Sequence, residues 1–156
     1  MSGKVNPLAA STVGLLHNIG DSLALLIRKT GPGAAAMLDS VDAPALGAAV
    51  LAGWRMPERV HRVVELQHQP TVLLPAELDA YAAEIGVLYV AQACHELLLG
   101  GGAPMAHVSE YMAWLGLGET SCANFCRHTI RPALAKSAES LPARVRARIG
   151  SAVARA

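Results

Sequence analysis

The chain reads as an all-α, multi-helix protein, and three observations lead there. Alanine and leucine dominate the 156 residues while runs of β-branched residues are scarce, a bias that favours helices over strands. Hydrophobic residues make up 53% and charged residues 16%, so there is ample apolar surface to bury and disorder is not expected. Proline and glycine punctuate the apolar stretches where helices would begin and end. A chain of this length buries about 70% of its extended surface, enough for a single domain over 1–156.

Asn6 and Pro7 supply an N-cap and a first helical position for a helix running through Val13, Leu15, Leu16 and Ile19 to Leu23, Leu26 and Ile27. It is apolar most of the way round, as a central buried helix would be, and Gly14 and Gly20 predict close packing, a kink or a break. Lys29–Gly33 ends it, and Ala34–Leu38 is one or two turns. Asp42 and Pro44 open a small-residue helix to about Gly53, whose stripe of Leu46, Ala49, Val50 and Gly53 is slim enough for close approach. Trp54-Arg55-Met56-Pro57 breaks it, since the residue before a proline is pushed out of the α region. Trp54 is expected to wedge the corner. The next helix, from Pro57 to about His68, has Val60, Val63 and Val64 inside with Arg59, Arg62 and Glu65 outside.

Thr71–Pro75 reads as a linker and Glu77–Leu99 as a long helix with Tyr81, Ile85, Leu88 and Gln92 near its buried stripe. Gly100-Gly-Gly-Ala-Pro104 is the sharpest break. It lacks the Gly-Lys-Ser/Thr ending of a phosphate loop and follows a helix rather than a strand. A helical extension over 104–156 follows: Val108–Leu115, a turn at Leu117-Gly118, Glu119 to about Lys136 perturbed by Pro132, and a last helix from Leu141-Pro142 with Val145, Ile149 and Val153 on one face.

The net charge of +1 does not by itself suggest nucleic acid. Residues 1–100 hold 6 Lys/Arg against 9 Asp/Glu, a balance of −3, and residues 101–156 hold 7 against 3, a balance of +4. Three cysteines give no disulfide framework, and no signal sequence opens the chain, so a reducing cytoplasm is expected. The apolar runs Leu8–Ile27 and Tyr81–Leu99 are interrupted by polar residues and do not read as membrane spans.

Gly14-Leu-Leu-His-Asn-Ile-Gly20 resembles the GLLHDIG segment of the HD superfamily of metal-dependent phosphohydrolases. Leu46-Gly-Ala-Ala-Val-Leu51, Trp54-Arg-Met-Pro-Glu58 and His68-Gln-Pro70 resemble the VGALLLERWGLPE…HHxP run of the HDOD family, a regulatory, non-catalytic branch found in bacterial signalling proteins. The likeness covers about residues 13–99 and implies an HD-like helical bundle. The superfamily's metal site has the pattern H…HD…D. No histidine precedes His17, Asn18 stands where the aspartate would follow it, and Gln92 falls near the last aspartate. Neutral amides are poor ligands for a hard cation, so hydrolysis reads as lost, with no catalytic residue, metal or cofactor expected.

His17 then has a plainer role as a buried histidine bonded to a neighbouring helix, with Asn18 and Gln92 as amides that could bond to it or to each other. His61 and His68 lie seven apart, two turns along one helical face, and with His17 form the residual metal-site alternative. Cys122 and Cys126, with His128 and Cys94-His95, could hold zinc, but the paired spacing of zinc ribbons is missing and the preferred reading is core cysteine. Arg144, Arg146, Arg148 and Arg155 make a basic side on the last helix, either simply solvated or a docking surface for an acidic partner.

About a dozen residues precede the GLLHNIG segment, whereas the HDOD domain has several helices there. The expectation is that Leu15, Leu16, Leu23 or Leu26 would be exposed unless another chain covers them, which predicts a homo-oligomer. The preferred function is a non-enzymatic bacterial signalling module that binds a protein partner. The alternatives are an HD-type phosphohydrolase acting on a nucleotide or cyclic dinucleotide, and a helix-turn-helix DNA binder. Against the latter, Glu58 and Glu65 share the second helix with Arg59 and Arg62, and nucleic acid is not expected.

Overall fold

Every regular element among the described residues is helical, with no strand. The computed structural model describes residues 5–150 apart from 32, 34, 35, 37, 39, 79, 102–104, 119, 120, 141, 145, 148 and 149. They divide into two units, Met1–Leu88 and Tyr89–Ala156, and the division falls inside a helix rather than at Gly100–Pro104.

In the first unit, α1 (Pro7–Leu16) starts as its sequence dictates, with Asn6 Oδ1 accepting from the Leu8 and Ala9 N–H groups at 3.1 Å. The apolar run does not continue as one helix. His17-Asn18 interrupts it before α2 (Ile19–Arg28), so the break lies between the two glycines. Nor is this a buried central element: Val13 is the buried residue of α1 and Gly20 that of α2.

The crossing of α2 on α3 (Ala43–Gly53) explains the second glycine. A Cβ added at Gly20 would lie 1.8 Å from the Ala43 carbonyl oxygen, and one at Gly47 would lie 3.0 Å from the Gly20 nitrogen. Two facing glycines let the backbones touch. The buried face of α3 is therefore Pro44, Gly47, Ala48 and Leu51, two positions back from the predicted stripe and so on the opposite side of the helix; Ala49 and Gly53 are exposed. Asp42 caps α3 as expected, its Oδ2 accepting from the Ala45 N–H at 3.1 Å.

The corner to α4 (Glu58–Leu66) is closed by backbone, not by Trp54. Arg55 takes the left-handed conformation (φ 59°), its N–H donates to Ala52 O at 2.9 Å, and the Met56 N–H donates to Leu51 O at 3.0 Å. This is a Schellman cap, in which the second residue past the cap packs on the helix it ends. Met56 accordingly sits against the core beside Leu51, while Trp54 is 62% exposed. The expectation of a wedged tryptophan is overturned. Val13, Leu51, Val60, Val63, Val64, Ile85 and Leu88 form the core of this unit, with Leu16, Ile19, Met56, Leu66, Leu78 and Tyr81 packed around it.

Short 3-10 turns at Gln69–Thr71 and Pro75–Glu77 lead to α5, which spans Ala82–Leu98. It begins five residues later than predicted, because Tyr81 takes a left-handed φ of 71° and Leu78 is extended. In the second unit, α6 (Val108–Trp114) is followed by α7 (Cys122–Phe125), a π-helical stretch at Cys126–Ile130 and α8 (Arg131–Ala138). The Arg131 N–H donates to Cys126 O, five residues back, just before Pro132. Pro132 has no N–H to give its preceding turn, which is why the perturbation falls there. Of the predicted last helix, Val145, Arg148, Ile149, Val153 and Arg155 lie outside the described residues.

Candidate functional site

The residues that a degenerate HD site would use do not assemble as a ligand set within the first unit. His17, half-buried at the α1–α2 break, uses Nδ1 on Gly14 O of its own helix at 2.9 Å, not on a neighbouring helix as expected. Asn18 is exposed at the N-cap of α2 without capping it through its side chain. His61 is on α4, but α4 ends at Leu66, so exposed His68 lies beyond the helix and the two share no helical face. Gln92 is on the part of α5 that belongs to the second unit, where it is half-buried. Among the described residues, no three His, Cys, Asp or Glu side chains are arranged to hold a metal ion.

Two buried polar groups that sequence reasoning passed over tie the unit together. Gln67, the C-cap of α4, is buried and donates from Nε2 to His17 O at 3.0 Å, binding the end of α4 to the α1–α2 break. Glu84, in the first turn of α5, is 3% exposed; its Oε1 accepts from the Asn6 N–H at 3.1 Å and from Arg59 Nη1 at 2.6 Å. The Arg59 guanidinium also stands 5.4 Å from the centre of the Tyr81 ring. Burying a charge requires such partners, and one carboxylate thereby joins the starts of α1, α4 and α5. The signal in the sequence was an acidic residue set among the apolar residues that begin the helix.

The leucines form the other candidate. Leu8, Leu15, Leu25 and Leu26 are 77%, 84%, 59% and 62% exposed, whereas Leu16 and Leu23 are half-buried and Leu16 packs against the core. The stretch Pro7–Arg28 is long and apolar enough by length and composition to cross a membrane, with a mean hydropathy of 1.2 and 11% of its window buried.

In the second unit all three cysteines of the chain come together. Cys94 Sγ on α5 is 3.8 Å from Cys122 Sγ on α7, and Cys126 Sγ donates to Cys94 O at 3.7 Å. Burial pushes all three thiols up from their ordinary pKa, Cys94 furthest, where neighbouring Cys122 and Cys126 add to the shift. In the same unit Tyr89 and Tyr111 pack edge to face at 5.4 Å, and Tyr89 Oη donates to Ala106 O at 2.6 Å. His95 and His128 are exposed on the surface of this unit, as are Arg144 and Arg146.

No protein-family model matches the chain, and neither a curated protein nor a solved structure matches it.

Proposed function

We propose that this chain is a non-enzymatic, HDOD-like helical module of bacterial cytoplasmic signalling that works by binding protein, with a second copy of itself as the first partner. The observation that carries the reading is the exposure of Leu8, Leu15, Leu25 and Leu26 on α1 and α2. Leaving four leucine side chains in water forgoes roughly 1.5–3 kcal/mol each, a sum comparable with the stability of a whole domain. Two-fold pairing is the commonest remedy because it reuses one patch. The HDOD-like part rests on the motifs at Gly14–Gly20, Leu46–Glu58 and His68–Pro70. Its non-enzymatic part rests on Asn18 and Gln92 standing at ligand positions.

Light scattering tests the pairing. A dimer or larger assembly is expected at micromolar concentration, and Leu15→Glu with Leu26→Glu is expected to dissociate it while leaving the helical circular dichroism intact. A well-folded wild-type monomer would defeat it. The apolar Pro7–Arg28 stretch favours a second reading, attachment to a lipid surface, which a monomer that sediments with phosphatidylcholine–phosphatidylglycerol vesicles would support. Elemental analysis showing about one Mn, Fe or Zn per chain would overturn the non-enzymatic part and revive the phosphohydrolase alternative.

A further inference from the structure

Cys94 lies 28 residues before the Cys122/Cys126 pair, yet all three cysteines sit in one place in the second unit. Cys94 and Cys122 face each other with sulfurs 3.8 Å apart across α5 and α7. To form a bond of about 2.05 Å the two sulfurs must close by roughly 1.7 Å. Cys94 is buried and Cys122 half-buried, so one thiol of the pair meets solvent and the other is screened from it. Cys126 is buried and directed at the Cys94 carbonyl.

We propose that Cys94 and Cys122 are a reversible dithiol site, oxidised to an intrachain disulfide by small-molecule disulfides of the glutathione class. The Cys122 thiol reacts through the small thiolate fraction that burial leaves it. That thiolate attacks one sulfur of the oxidised glutathione, forming a mixed disulfide and releasing one glutathione thiolate, which takes up the proton that Cys122 lost. The Cys94 thiolate then attacks Cys122 Sγ and expels the second glutathione, which takes up the Cys94 proton. Two protein thiols are oxidised and one glutathione disulfide is reduced to two thiols. The disulfide closes a covalent loop that contains α6. In a reducing compartment such a bond is transient, which suits a sensor and not a structural staple.

The experiment titrates the full-length protein with mixtures of oxidised and reduced glutathione, counting free thiols and mapping cross-linked peptides by mass spectrometry. The expected result is loss of two of the three thiols without a change in chain number, a Cys94–Cys122 peptide, and full recovery with dithiothreitol. Cys126→Ser, in which no other intrachain bond is available, is expected to lose both remaining thiols in the same way. Retention of all thiols, stable mixed disulfides with glutathione, or cross-links only between chains would overturn the proposal. So would a folded Cys126→Ser protein that forms no internal bond. If that variant does not fold, the peptide map of the wild type decides, and a bond other than Cys94–Cys122 sinks the proposal.

Discussion

Arg59 and Glu84, 25 residues apart in sequence, meet at 2.6 Å in a pair that is lopsided in burial: the arginine side chain is 41% exposed and the glutamate 3%. That asymmetry sets what each deletion does. Glu84→Gln leaves a cation that water can reach, whereas Arg59→Met leaves a buried carboxylate with the Asn6 N–H but without its countercharge. Hydrogen bonds to charged groups contribute about 1.5–3 kcal/mol, and an uncompensated buried charge costs about 3–5. Arg59→Met is therefore expected to be the more destabilising by 1 kcal/mol or more, on the order set by those ranges. Urea denaturation of the two variants checks it, and equal losses would show that solvent reaches Glu84.

Gly14 and Gly20 lie in similar sequence surroundings and are expected to respond oppositely to alanine. Nothing lies within 4 Å of a Cβ at Gly14, and alanine in a helix is worth about 1 kcal/mol over glycine, so Gly14→Ala should stabilise. At Gly20 the added carbon meets backbone of α3, which cannot rotate away. Overpacking of this kind costs about 1–3 kcal/mol or more, and Gly20→Ala is expected to lower the melting temperature. Thermal denaturation by circular dichroism separates the two.

Trp54→Ala should change stability by less than about 0.5 kcal/mol, as surface substitutions do, and not by the 3–5 kcal/mol of a core aromatic. Arg55→Gly, in the left-handed position beside it, is expected to stabilise by about 1 kcal/mol, the scale of the side-chain penalty in that conformation. Denaturant midpoints of both variants test the backbone account of the corner.

The cysteine cluster predicts a loss of stability at alkaline pH. A thiol ionises near pH 8.5 in the unfolded chain, and burial holds Cys94, Cys122 and Cys126 above their ordinary value in the folded one. Between those values the folded state keeps protons that the unfolded state has lost. The stabilisation is complete below about pH 8.5 and falls as pH rises beyond it. Melts under reducing conditions at neutral and alkaline pH should show this decline, and Cys122→Ala should make it shallower.

Much of the helix inventory was legible in local chemistry. Asn6 and Asp42 accept the N-cap bonds predicted of them, Val60, Val63 and Val64 face inward, and the break after Leu99 falls at glycine. Caps, periodicity and breakers act over a few residues, so a few residues encode them. The face that an apolar helix buries is a different matter. When alanine, leucine and glycine surround the axis, as in α1 and α3, periodicity singles out no side, and the facing backbone chooses Gly47 over Ala49.

By itself, then, the sequence determined an all-α chain, where most of its helices start and stop, and the identities of the histidines, amides and leucines worth testing. Tertiary structure alone decided that Trp54 faces solvent, that His61 and His68 part company, that Glu84 is sealed in with Arg59, and that three cysteines share one place. The cap at Arg55 and the end of α4 at Leu66 act locally on the first two, and a long-range reason governs Glu84 and the cysteines. Burial and pairing depend on groups brought together across dozens of residues, and nothing in a residue's own neighbourhood along the chain records which partner will arrive.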